Sequence, residues 1–312
     1  MRDWLKHGRS SEIWYIKFMI AALFPGQGSQ APGMGKSFFD HSAASRDVFQ
    51  RISETVGRNL QEICFEFDEE TLRQTDNAQI ALFTVSLAAY AAYQTSGKSA
   101  DLFAGHSIGE YAALVASGCI PLAVGAKLVQ KRGELMAAAK SGGMAAVLGL
   151  DIPAIEEALK QVEGTVVVAN DNCPGQVVIS GDATAVIAAV PVLQSAGAKR
   201  VLPLNVSGAF HSPLMQDAAD EFALSLAQVE FSAGRVVSNV TACEVTDANQ
   251  WAGLLETQLR GRVRWTESVQ TMIAMGTTEF IEFGNGEVLC GMLKRIDKSI
   301  MARSMQNIES LN

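Results

Sequence analysis

The sequence predicts an α/β protein: a large, hydrolase-like domain on a mostly parallel sheet, with a ferredoxin-like subdomain inserted into it. Three observations carry that expectation. Leu102-Phe103-Ala104-Gly105-His106-Ser107-Ile108-Gly109-Glu110-Tyr111 is an apolar run that ends in Gly-x-Ser-x-Gly and continues into a helical pattern, the strand-turn-helix signature of a nucleophile elbow. Residues 142–206 alternate strand and helix patterns in the order β-α-β-β-α-β, the ferredoxin-like arrangement. Strand-like runs at Met19–Phe24 and Thr278–Phe283 each lead into a glycine-rich turn. The expected organisation is an N-terminal extension, 1–18, a large domain made of 19–141 and 207–312, and a small one, 142–206.

Each element follows from local pattern. Met1–Phe18 has two tryptophans and mixed charge but no apolar h-region or small-residue cleavage site, so it does not read as a signal peptide. Met19-Ile20-Ala21-Ala22-Leu23-Phe24 begins the first strand, and Met19 is the expected start. The loop Phe24-Pro25-Gly26-Gln27-Gly28-Ser29-Gln30, then Gly33-Met34-Gly35, has Ala31 and Pro32 where a dinucleotide fingerprint needs its third glycine, so no nucleotide cofactor is expected. Such a loop can instead bring a backbone N–H close to a reacting carbonyl. Ser37–Leu87 is mostly helical, with Asp40, Ser45 and Ser53 as available caps. Ile80–Tyr93 is apolar nearly all round and should be buried. The helix Leu122–Lys140 carries Lys131-Arg132-Gly133-Glu134, a charged run that suits either a solvated face or a functional role.

The small unit is expected as strand Met144–Gly149, helix Ile152–Val162, strand Thr165–Asn170, a turn at Asp171–Gly175, strand Gln176–Ser180, helix Thr184–Ser195 kinked at Pro191, and strand Arg200–Val206. Such a subdomain would wall one side of a cleft. The chain then resumes with Ser207–Met215, an amphipathic helix Met215–Leu226 and a strand Arg235–Val240.

Composition narrows the function. At 48% hydrophobic and 19% charged residues the chain is too apolar for disorder, yet no apolar run reaches membrane-spanning length. A net charge of −8 argues against a general nucleic-acid binder. Five scattered cysteines, odd in number, support neither a disulfide framework nor a zinc site, so a reducing cytosol and no metal are expected.

A serine hydroxyl needs a general base. Of the four histidines, His7 lies in the extension and His41 at an early helix start; His106 adjoins Ser107, and neighbours on such a turn point different ways. That leaves His211, in Phe210-His211-Ser212-Pro213, about a hundred residues before the end. A common α/β hydrolase would carry its acid and histidine late in the chain and a His-Gly-Gly loop upstream; neither is evident.

Taken in order, Phe24–Gln30 with Gly33-Met34-Gly35, Gly105–Tyr111, Lys131-Arg132-Gly133-Glu134-Leu135-Met136, Phe210–Met215 and Ser238-Asn239-Val240-Thr241-Ala242 resemble the motifs of malonyl-CoA:acyl-carrier-protein transacylases. The resemblance covers essentially Met19–Leu293. It implies a ping-pong transfer: Ser107 attacks the malonyl-CoA thioester, holds the malonyl group as an ester and yields it to the phosphopantetheine thiol of an acyl carrier protein, with His211 moving the protons. It also implies that the backbone carbonyl of Gln258 orients His211, that the backbone N–H groups of Gln27 and Ile108 form the oxyanion hole, and that Arg132 binds the malonyl carboxylate. In related acyltransferases a phenylalanine at the position of Phe210 goes with malonyl over methylmalonyl, and the resemblance implies that Gln79, Met136, Asn170, Asn239 and His106 line the pocket or support its loops. Ala78, Arg262 and Asn285 depart from the family's usual residues. The carrier is expected to be small and acidic, so Lys199, Arg200, Arg260, Arg262 and Arg264 are candidate contacts for it or for CoA phosphates. No cofactor is implied, and a monomer is expected. The alternatives are an acyltransferase that loads a polyketide synthase carrier and a serine thioesterase or hydrolase.

Overall fold

The computed structural model describes residues 18–139, 141–206 and 208–311, together with the backbone of 6–7 and 14–15. The expected extension, including His7, thus lies almost wholly outside the described side chains. Its two short strands, β1 (Lys6–His7) and β2 (Trp14–Tyr15), pair antiparallel.

The central sheet has four strands, β3 (Ile20–Phe24), β4 (Leu102–Gly105), β10 (Glu279–Phe283) and β11 (Met301–Met305), in the order β11-β10-β3-β4 with every pairing parallel. Burial is almost continuous along β3, β4 and β10, as a parallel sheet covered on both faces requires. Alternate residues feed two cores. Ala22, Phe24, Phe103, Ile281 and Phe283 face α5 (Thr75–Thr95) and α6 (Gly109–Ala116). Ala21, Leu23, Leu102, Ala104 and Phe280 face α12 (Trp265–Ala274) and α13 (Val288–Ile296). The α5 helix is buried along nearly its whole length, and Tyr90 on it stacks edge-on against Phe283, ring centroids 5.1 Å apart. Within β10, Glu282 turns its carboxylate to the N–H groups of Leu289 (3.1 Å) and Cys290 (2.8 Å), satisfying donors that the first turn of α13 would otherwise leave unpaired.

In the small unit, β5 (Gly143–Leu148), β6 (Val166–Cys173), β7 (Gln176–Gly181) and β8 (Arg200–Pro203) form an antiparallel sheet in the order β8-β5-β7-β6. The helices α8 (Ile152–Leu159) and α9 (Ala183–Ser195) share one core with it, which is the ferredoxin-like order. A fifth strand, β9 (Val263–Arg264), arrives from the C-terminal part of the chain and pairs parallel with β6, stitching the two sheets' surroundings together.

Several local expectations are corrected. The caps are Ser42, Asn59 and Asp68, each accepting a backbone N–H at the start of α2 (Ala43–Val56), α3 (Leu60–Phe65) and α4 (Glu69–Arg73); Ser45 and Ser53 lie inside α2, where their hydroxyls bond to the carbonyls of Ala88 and Phe49. Asp40 and His41 lie in α1 (Lys36–His41), which His41 ends. Asp171–Cys173 is not a turn: β6 runs on to Cys173, leaving Pro174-Gly175 as the hairpin, and register shifts after Val168 and Asp171 re-aim the polar residues Asn170 and Asn172. The strand expected at Arg235–Val240 shrinks to isolated bridges, Val236 to Phe103 and Val237 to Glu244, because the chain turns away at Ser238 to serve the elbow. Pro191 lies inside α9, where the sequence put it. Among the described residues, no helix is long and apolar enough to cross a membrane.

Candidate active site

Only three residues separate the end of β4 from the start of α6, so the backbone at Ser107 is forced into the left-handed region, φ 52°. Close approach dictates the flanking glycines. A Cβ on Gly105 would lie 1.9 Å from the Gly109 carbonyl carbon, and one on Gly109 would lie 2.1 Å from the Phe24 oxygen. Asn239 clips the turn shut: its Oδ1 accepts the Ser107 N–H at 2.7 Å and its Nδ2 donates to the Gly105 carbonyl at 2.7 Å.

His211 is also held at positive φ, 57°, and its Nε2 lies 2.8 Å from Ser107 Oγ. Its Nδ1 is 2.7 Å from the Gln258 carbonyl oxygen. A carbonyl can only accept, so the network assigns the proton to Nδ1 and leaves Nε2 bare to accept from the serine. Burial, and after it the Arg132 charge, pushes the imidazole down to about 3. It is therefore neutral near pH 7, the form a general base needs.

Arg132, on α7 (Leu122–Ala138), is fully buried, which rules out the solvated-face reading for this residue, while Lys131 and Glu134 beside it do reach solvent. It donates to Gln79 Oε1 (2.8 Å), Ser107 Oγ (3.1 Å) and Gln258 Oε1 (3.0 Å), and its guanidinium lies over the Tyr111 ring, 5.5 Å from the centroid. Its Nε has no partner among the described residues. Gln258, on α11 (Trp251–Arg260), thus uses its main chain for His211 and its side chain for Arg132. The amide nitrogen of Gln258 donates to the Ser107 carbonyl (2.9 Å) and to Glu110 Oε2 (2.5 Å).

These groups adjoin a cavity of about 450 Å³ between the two sheets' units. One wall is the loop Gly26–Gln30 with His106, Ser107 and His211; the other carries Met144, Ala146, Asn170, Asn172, Val178 and Leu204–Val206 from the small unit. Phe210 and Met136 close its inner end. His106 Nε2 lies 2.8 Å from Asn172 Oδ1 and its ring packs edge-on to Trp265, so it bridges the two walls; burial holds its pKa below the usual value. Among the described residues, neither the Gln27 nor the Ile108 N–H has a protein acceptor, and Gln27 lines the cavity beside Ser107. Asn285 donates to the Ser29 carbonyl at 2.7 Å and so braces the Gln27 loop.

Two residues grouped with the substrate contacts stand elsewhere. Gln79 and Asn239 do not line the cavity: Gln79 holds Arg132 and contacts Met136 Sδ (3.3 Å), and Asn239 holds the elbow. Three of the five candidate docking cations have acidic neighbours. Arg260 is paired with Glu256 (2.9 Å), Arg262 with Glu156, and Arg264 with Glu267, so their positive charge is locally balanced. Lys199 and Arg200 are exposed on the small unit, away from the cavity lining. Sequence reasoning missed Glu110, which reads as an ordinary first-turn acid, and Arg73 with Glu69, an ion pair (2.7 Å) on the cavity wall. Among the described residues, no group of three His, Cys, Asp or Glu side chains could hold a metal ion.

The arrangement can therefore deprotonate a serine, stabilise an oxyanion and seat a carboxylate. Comparison with known proteins agrees with such chemistry. The chain is 42% identical over 300 residues to the malonyl CoA-acyl carrier protein transacylase of Bacillus subtilis (strain 168), covering 94% of this chain and 95% of that protein. Its fold is similar to a crystal structure of an acyl carrier protein S-malonyltransferase from Vibrio cholerae, with a TM-score of 0.89, 40% identity, and coverage of 94% and 99%. It is equally similar to a malonyl-transacylase in complex with a type II PKS acyl carrier protein, with a TM-score of 0.91, 38% identity, and coverage of 94% and 97%. The family model for the acyl transferase domain matches residues 22–309, and the chain belongs to that family.

Proposed function

We propose that this chain transfers a malonyl group from malonyl-CoA to the phosphopantetheine thiol of an acyl carrier protein, in support of fatty-acid synthesis. The observation that carries this reading is a fully buried guanidinium 3.1 Å from a serine hydroxyl that is itself 2.8 Å from a neutral imidazole. A simple ester or amide substrate gives such a buried cation nothing to meet; an acyl group ending in a carboxylate does.

In the first half-reaction Ser107 Oγ attacks the thioester carbonyl while His211 Nε2 takes its proton, and the oxyanion rests on the N–H groups of Gln27 and Ile108. Collapse expels CoA thiolate, which recovers the proton from His211. In the second, the carrier thiol gives its proton to His211 and its sulfur attacks the malonyl-serine ester; collapse breaks the ester bond, and the leaving Ser107 oxygen takes the proton back from His211. The malonyl carboxylate takes charge-assisted hydrogen bonds from Arg132 throughout. The thioester supplies the activation, so the reaction needs no cofactor. The cleft lies between the unit 142–206 and the remainder, 19–141 with 207–312. Phe210 limits space at the α-carbon, and Asn170 and His106 face the acyl thioester. Lys199 and Arg200, which have no described acidic partner, and the ion-paired Arg260, Arg262 and Arg264 are the candidate contacts for the carrier or for CoA phosphates. The likeness to a type II PKS carrier complex keeps a polyketide carrier as the second reading, which transfer assays on purified carriers separate.

Intact-protein mass spectrometry after addition of malonyl-CoA tests the reading. One malonyl group should appear on the native chain, persist in water and leave when a holo carrier is added. Ser107→Ala should acquire none. Rapid loss of the adduct to water would make the protein a hydrolase instead.

A further inference from the structure

Glu110 follows the elbow on α6 and is buried, 1% exposed. Its Oε1 accepts the Asn239 N–H at 2.8 Å, and its Oε2 accepts Gln258 Nε2 at 2.5 Å. The same Gln258 amide turns its oxygen to Arg132 at 3.0 Å. One oriented amide thus spans a buried anion and a buried cation, nitrogen toward the first and oxygen toward the second. No described carboxylate forms an ion pair with Arg132, whereas the Glu110 charge acts on it across this amide.

We propose that Glu110 is the resident counter-ion of Arg132, coupled to it through Gln258, and that it takes up a proton when a substrate carboxylate docks on the guanidinium. The proposal rests on the malonyl reading above. A second anion beside one buried cation leaves an unbalanced negative charge in a poorly solvated site, and protonating a carboxylate removes it. Burial already pushes the Glu110 carboxyl up to about 7, against the lowering by Asn239, Gln258, Arg132 and Ser238. The docked carboxylate offsets the Arg132 field and raises it further.

The groups facing Glu110 leave few alternatives for that proton. From α7 comes Arg132, which burial lowers. From α11 comes Gln258, which does not titrate, and beyond it His211 is held neutral. Tyr111, on the same helix, is raised. The proton comes from solvent, and the new O–H has the Ser238 hydroxyl beside it to accept. Asn239 and Gln258 continue to donate to the carboxyl oxygens.

The test uses the full chain with Ser107→Ala, which binds acyl-CoA without being acylated. It is titrated calorimetrically with malonyl-CoA and with acetyl-CoA at pH 7, in two buffers of different ionisation enthalpy. Both ligands carry the same CoA phosphates, so their difference isolates the carboxylate. We expect malonyl-CoA to take up about half a proton more than acetyl-CoA at pH 7, since a group titrating near 7 is half protonated there. The difference should shrink below pH 6 and vanish in Ser107→Ala/Glu110→Gln. Equal proton uptake for the two ligands at pH 7, or an undiminished difference with Glu110→Gln, overturns the proposal. If the double variant does not fold, the comparison in Ser107→Ala alone decides. Absence of any binding heat for malonyl-CoA is a different failure, that of the malonyl reading itself, and the proposal falls with it.

Discussion

Replacing Arg132 by alanine removes the one buried cation within reach of the Ser107 hydroxyl among the described residues. Two effects follow, and the structure lets them be separated. The first is structural: Gln79 Oε1 and Gln258 Oε1 each lose a donor, at about 1–3 kcal/mol for every buried group left unpaired. This lowers Tm but affects every substrate alike. The second is specific to a carboxylate. Two charge-assisted hydrogen bonds worth about 1.5–3 kcal/mol each amount to roughly 3–6 kcal/mol, which is a loss on the order of 10²- to 10⁴-fold in kcat/KM for malonyl-CoA. Acetyl-CoA, which loses only the contact of Arg132 with Ser107 Oγ, should fall about tenfold. The assay is initial-rate transfer to a holo carrier from both thioesters, using one enzyme preparation so that the folded fraction cancels. Arg132→Lys should fall between, because an ammonium keeps the charge without the planar fork. Equal losses for malonyl and acetyl transfer would refute the assignment of Arg132 to the substrate carboxylate.

Two further outcomes are expected besides those for Ser107 and Glu110. Phe210→Ala should open the inner end of the cavity and narrow the preference for malonyl- over methylmalonyl-CoA, by up to the roughly 1–3 kcal/mol that one methyl group decides; an unchanged ratio would take Phe210 out of substrate selection. His211 titrates below its unfolded value, so its contribution to stability is fully present above about pH 6.5 and is lost as pH falls toward its folded pKa of about 3. Between pH 7 and pH 5 that contribution should decline by about 2 kcal/mol. His211→Asn should therefore lose less stability than the native chain over this range in urea titrations, and parallel curves would contradict the buried, neutral imidazole.

Some of this was legible because local chemistry leaves few choices. An apolar run followed by Gly-x-Ser-x-Gly and a helical pattern admits little but a tight strand-to-helix turn, and the 1.9 Å and 2.1 Å approaches at Gly105 and Gly109 show why. The alternation across 142–206 likewise announced four strands and two helices. Other features were not legible because their cause is distant in the chain. The valines of Arg235–Val240 fit a strand, but Asn239 is needed at the elbow, and its bonds to Ser107 and Gly105 end the ladder there. The caps Ser42, Asn59 and Asp68 lost out to equally plausible neighbours, since serines and aspartates recur throughout Ser37–Leu87.

Taken alone, the sequence determined which residues are chemically competent: four histidines of which His211 stands free of the extension, the early helix start and the elbow, one serine between paired glycines, and a charged helix run containing Arg132. Periodicity also determined the α/β class, since strand and helix patterns are properties of neighbouring residues. Only the tertiary structure decided what those residues face. It buried Arg132 rather than leaving it in water, paired Arg260, Arg262 and Arg264 with glutamates, moved Gln79 and Asn239 behind the cavity wall, and set Glu110 opposite Arg132 across Gln258. The physical reason is that burial and charge pairing depend on which segments meet, and residues 110, 132, 211 and 258 come together only when three helices and a turn far apart in the chain converge on one site.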